Sequence, residues 1–94
     1  MNRPANSLAA ALGITNALIV TKNEYGTIFV EMDGVLIADS ATFRRQRGFN
    51  NKATGQWVNA SKFTPRNVKK NPALVIDFLM QTGTLTGASV VVAY

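Results

Sequence analysis

From Ala17 to Ala38 apolar and polar residues alternate with a period of two and β-branched side chains recur, the pattern of half-buried strands. Ala17 to Lys22 is the first predicted strand, Asn23, Glu24, Tyr25 and Gly26 form a turn cluster, and Thr27 to Met32 is the second strand. Asp33-Gly34 then predicts a type I′ hairpin. That turn needs positive φ at both central positions, which Asp tolerates and Gly prefers. Val35 to Ala38 completes a three-stranded meander. Ile28, Val30 and Met32 fall on one face of it and Thr27, Phe29 and Glu31 on the other, so one side meets a core and the other stays partly wet.

Alternation returns from Ser40 to Phe63, which predicts a second, longer hairpin. Phe43, Arg45, Arg47 and Phe49 alternate with Arg44, Gln46 and Gly48; past a turn over Asn50 to Gly55, Trp57, Asn59, Ser61 and Phe63 alternate with Val58, Ala60 and Lys62. All of these aromatics have odd numbers. A pairing register whose partners sum to an even number places Phe43, Phe49, Trp57 and Phe63 on one face of the ribbon, whereas an odd sum splits them between the two faces.

Thr64-Pro65 and Asn71-Pro72 bracket a polar basic segment, and proline after a capping residue is a common way to open a helix. Asn71 caps and Pro72 opens a helix that continues from Ala73 to Gln81 and stops at Thr82-Gly83. Only Asp77 and Gln81 are polar in it, so the pattern predicts burial nearly all round, against the sheet or against another subunit. A buried strand is the competing reading for Leu74 to Met80. Thr84 to Tyr94 ends in Val90, Val91 and Val92, the pattern of a terminal strand covered on both faces or paired at a subunit seam. Near the start, Ser7 or Asn6 can cap a short helix over Leu8 to Leu12 that ends at Gly13. Two turns do not stand alone in water, so residues 1–16 either dock or act as an arm. The predicted architecture is α+β: an antiparallel meander, a long basic β-hairpin, one buried C-terminal helix, a terminal strand and a short N-terminal helix, in a single domain over residues 1–94.

Composition adds little until charge is placed along the chain. Eight of the ten cations lie between residues 40 and 71: Arg44, Arg45, Arg47, Lys52, Lys62, Arg66, Lys69 and Lys70. None of the five carboxylates does; Asp39 lies just before this basic hairpin and loop, and Asp77 just after it. A concentrated positive field recruits a polyanion or an acidic surface better than scattered charges do. With no cysteine there is no disulfide framework and no thiolate metal site. The N-terminal apolar run is broken by Pro4, Asn6, Ser7 and Gly13, too interrupted for a signal peptide or a membrane span, so the expectation is a cytoplasmic protein or one within a virion, with no membrane partner.

Catalysis has thin support. The chain has no histidine, the commonest general base and metal ligand. Glu31 and Asp33 share parity and could be imagined on Mg²⁺ with substrate phosphates, but solvated carboxylates beside a tight turn are the plainer reading. No enzyme, cofactor or metal is expected.

Two local resemblances each cover less than a quarter of the chain, and neither assigns a family. The run Arg47-Gly48, Asn50, Thr54-Gly55, Ala60-Ser61-Lys62 and Pro65 is similar in order, though not in spacing, to the DNA-embracing arm of histone-like HU and IHF proteins, whose arm follows two helices that this chain lacks. Trp57-Val58-Asn59-Ala60-Ser61 resembles the start of a KilA-N or APSES-type DNA-binding module, with Pro65 and Pro72 interrupting the helices expected after it.

The residues themselves favour a small, basic, non-enzymatic nucleic-acid-binding protein. The eight cations would contact phosphates, and Phe49 and Trp57 would meet bases or a groove. Two other readings stay open: an assembly subunit of a multimeric particle such as a virion, and an inhibitor that docks on an acidic partner protein. A homo-oligomer is expected through Leu74, Phe78 and the Val90–Val92 strand.

Overall fold

The computed structural model describes residues 17–81 and 89–94. The N-terminal helix and arm expected over residues 1–16, and the start of the terminal segment at 82–88, lie outside the described residues. The elements are β1 Ala17–Lys22, β2 Ile28–Met32, β3 Val35–Phe43, β4 Gln46–Asn51, β5 Gln56–Asn59, α1 Pro65–Lys70, α2 Ala73–Gln81 and β6 Ser89–Val92. They form a mixed α+β fold in which six strands share one sheet in the order β5-β4-β3-β2-β1-β6. The first five strands run as an antiparallel meander, and β6 then pairs with β1 in parallel.

The meander follows the alternation in the sequence. Ile28 and Val30 point into the core, and the β2–β3 turn has positive φ at both Asp33 (53°) and Gly34 (78°), as a type I′ hairpin requires. Val30 pairs with Ala38 but Glu31 with Leu36, so Ile37 is an extra residue on β3, a bulge that restores the inward parity of the strand beyond it.

The long hairpin expected over Ser40 to Phe63 does not form. Residues 40–43 continue β3, the chain reverses at Arg44-Arg45, and β4 pairs back along six positions from Phe43↔Gln46 to Ala38↔Asn51. A tight turn there satisfies more of the backbone ladder than an extended loop would, because every paired residue closes its own N–H or C=O. A second reversal over residues 52–55 leads into β5. Buried Asn51 organises that turn by accepting the N–H of Ala53 at 2.9 Å, while its carbonyl accepts the Gly55 N–H at 2.8 Å. The register across β4 and β5 is odd, with Phe49 opposite Val58 and Asn50 opposite Trp57. The aromatics are therefore split between the faces.

Both helices cover one face. Thr64 caps α1 by accepting the Asn67 N–H at 3.1 Å, with Pro65 at its start. Asn71 ends α1 through its N–H to Asn67 O (2.8 Å), and its carbonyl accepts the Leu74 N–H (3.1 Å) to open α2. Val68, Val75 and Leu79 then meet Leu18, Val20, Ile28, Val30 and Ala38 from the sheet. Phe49 and Phe63 stack at 5.3 Å between ring centroids, and Phe78 joins them at 6.3 and 5.9 Å. Removing rings of this size from water contributes roughly 2–3 kcal/mol each. The all-round burial expected for the last helix gives way to a one-sided one: Val75 and Leu79 are buried, while Ala73, Asp77 and Met80 are exposed. Among the described residues one helical layer covers the sheet, and a layer of this kind offers it only one stripe of each helix.

Candidate nucleic-acid interface

Strand direction decides where the charges go. The meander brings the end of β1, the β1–β2 loop, the β3–β4 turn and the end of β5 to one edge of the molecule, and parallel β6 finishes there too. Lys22, Arg44 and Arg45 belong to that edge, and Arg47 lies one pair in from the turn, opposite Thr42. Arg66 and Lys69 on α1 reach the same edge, because they share a hollow with Lys22, Pro65 and Tyr94. Arg47 shares another with Tyr25, Gly26 and Ser40 to Thr42. Six cations from three separate parts of the chain thus crown one end of the sheet. Among the described residues, Glu24 is the carboxylate in a loop at that end; Asp33 occupies the turn at the opposite end.

Tyr94 holds part of this crown together. Its hydroxyl donates to Pro65 O at 2.7 Å, Lys69 Nζ donates to its main-chain oxygen at 2.6 Å, and Lys22 and Lys69 sit 5.6 and 5.7 Å from its ring centroid. Partial burial pushes its phenol pKa up from 10.0 by disfavouring the phenolate.

The β3–β4 tip is built differently. Arg44 and Arg45 have φ of 52° and 65°, the left-handed region that L-residues other than Asn, Asp and Gly seldom adopt. Arg44 lies over the Phe43 ring at 5.2 Å, and Phe43 packs on Trp57 at 5.4 Å with a 51° tilt. Trp57 Nε1 donates to Ala41 O at 3.1 Å. The indole lies across Gly48, where a Cβ would come within 2.6 Å of the ring and collide with Val58 O. Glycine is what lets the ring lie flat on the backbone. Nearby, Asn59 Nδ2 donates to Gln46 Oε1 at 2.8 Å and Asn50 Nδ2 to Asp39 Oδ1 at 3.0 Å, while Lys52 Nζ stands 3.5 Å from Asp39. All of this lies on the face away from the helices.

No protein-family model, curated protein or solved structure matches the chain. The site therefore stands on its own geometry.

The basic segment does not form a single ribbon. Arg44, Arg45, Arg47, Arg66 and Lys69 share the crowned end, Lys62 and Lys70 flank a separate hollow with Asn67, Asn71 and Leu74, and Lys52 is at the far end beside Asp39. Phe49 is fully buried, so its ring belongs to the core and meets no base. Trp57 is half-buried on the other face, a consequence of the odd register. Phe78, Val90 and Val92, expected at a subunit seam, pack against this chain's own core. Sequence reasoning passed over Lys22 and Tyr25, which lie outside the basic segment, and assigned Phe43 no contact. The alternation of β3 beyond Asp39 was the available signal for Phe43; nothing local marks Lys22, which the direction of β1 places at the crowned end and β6 sets beside Tyr94.

Proposed function

We propose that this is a non-enzymatic nucleic-acid-binding protein that grips the phosphate backbone with the cationic end of its sheet. The observation that carries the reading is the convergence of Lys22, Arg44, Arg45, Arg47, Arg66 and Lys69 on one end, drawn from β1, the β3–β4 hairpin and α1. Cations gathered on one side release condensed counterions together when they meet a polyanion, and arginine forks match phosphate oxygens. The turn supports the reading. Two left-handed arginines store strain where Asn-Gly would store little, and strain of this sort clusters at sites where a side chain is wanted for contact.

The test is a salt titration of binding to labelled oligonucleotides. If about six phosphates are neutralised, the log-log slope is roughly −5 on duplex and about −4 on single strands. Replacing Arg44 and Arg45 by Ala should lower that slope by about two. Affinity that is indifferent to salt, or unchanged in the double variant, refutes the reading.

A further inference from the structure

We propose that Phe43 and Trp57, on the open face beside the tip, form a stacking platform for unpaired nucleobases, so that the nucleic acid gripped by the cationic end is single-stranded. The inference rests on the function proposed above and narrows its substrate.

Phe43 is 50% exposed. A half-bare phenyl ring at the end of a strand is unfavourable in water, and here it is held in place. Trp57 supports it from one side, and Trp57 is in turn fixed by its bond to Ala41 O and by the missing Cβ at Gly48. A ring fixed in advance loses little rotamer freedom when something stacks on it. Arg44 covers the Phe43 ring as a planar cation. As an exposed turn side chain it can swing to a phosphate and give up the ring face to a base, which is also planar and polarisable.

Polar groups complete the platform. Gln46 and Asn59 are exposed, and their one mutual hydrogen bond leaves Asn59 Oδ1 and Gln46 Nε2 able to accept from and donate to base edges. Asp39 lies on the same face, but Asn50 and Lys52 hold it. Ala17 and Ile19, further across this face on β1, are buried (3% and 1%), so the platform is confined to the β3–β4–β5 side. Duplex nucleic acid could use the arginines but not, along its length, the ring, because both faces of its interior bases are already stacked. Unpaired strands can use both at once.

Oligo-deoxythymidine and a duplex of equal length, each titrated into the whole protein and its Phe43→Ala and Phe43→Tyr variants, separate the outcomes, with Trp57 emission and light scattering read alongside. Tighter binding to the single strand is expected, with a change in Trp57 emission. Phe43→Ala should weaken single-strand binding about tenfold and duplex binding far less, and Phe43→Tyr should restore it. Salt-sensitive binding in which Phe43→Ala behaves as wild type on the single strand overturns the platform and leaves the phosphate grip standing. A dimer that Phe43→Ala dissolves, with oligonucleotide affinity unchanged, overturns it in favour of a second copy on this face. Binding to neither oligonucleotide overturns both proposals.

Discussion

The turns at Asp33-Gly34 and Arg44-Arg45 close neighbouring hairpins at opposite ends of β3, and both place two residues at positive φ. At one end the residues are those the turn prefers. At the other they are two long cations that pay in backbone strain for being there. Turn geometry is thus a shared requirement of the meander, and its sequence is free to be spent on something else only where the neighbouring structure is firm enough to impose the conformation. Behind Arg44-Arg45 that firmness comes from Phe49 in the core and from Trp57 lying on Gly48.

The largest effect should come from removing the anchor. Phe49→Ala is expected to cost about 3–5 kcal/mol in denaturant unfolding, through lost burial and the cavity left beside Phe63 and Phe78. A cost under ~1 kcal/mol would mean that the arginine turn is not held by the core, and the contrast between the two turns would lose its cause. Gly48→Ala comes next, at about 1–3 kcal/mol with a shift in Trp57 emission, because the new methyl group meets the indole and Val58 O.

Exchanging the turn chemistry tests the contrast most directly. Arg44→Asn combined with Arg45→Gly should raise stability by about 1–2 kcal/mol, or several degrees in Tm, while weakening oligonucleotide binding about tenfold. Gly34→Ala should do the reverse, losing about 1 kcal/mol with binding untouched. If the double variant and Gly34→Ala shift stability in the same direction, the two turns are not strained differently.

The smallest effect lies in pH. Because burial raises the Tyr94 phenol pKa above 10.0, the neutral form is favoured in the folded state. Its contribution is fully present below about pH 10 and is lost as pH rises through the folded-state value. Ionisation also removes the donor to Pro65 O. Tyr94→Phe should flatten the alkaline limb of a stability–pH curve, and an unchanged limb would show that this end of the sheet does not depend on the phenol.

Much of the meander was legible in the sequence because local chemistry and tertiary structure agree there: Asp33-Gly34 names its own turn, and beyond the meander Asn71-Pro72 marks the start of the last helix, whereas the helix at Pro65–Lys70 replaces what the pattern gave only as a polar basic segment. The β3–β4 turn was not legible, since nothing in Arg44-Arg45 signals left-handed backbone and the six-pair ladder behind it is a non-local cause. That one hidden turn changed the rest. It divided the expected hairpin in two, and with the odd register Phe49 lies inward and Trp57 on the other face, so one of the two aromatics expected to meet a base is a core residue. The cations were easy to count and hard to group. Their neighbours are set by the crossover to β6, which puts Lys22 and Lys69 around one tyrosine ring from far apart in the chain.

That crossover also bears on how the molecule is made. During synthesis β1 through β5 can zip up in order as each hairpin emerges, but the outer edge of β1 keeps its hydrogen-bonding groups unmatched until Ser89 to Val92 leave the ribosome. A nascent chain halted before Ser89 would present Leu18 and Val20 beside a bare strand edge, inviting edge-to-edge pairing with its siblings. Among the described strands, the first to appear is therefore the one that must wait longest for its neighbour.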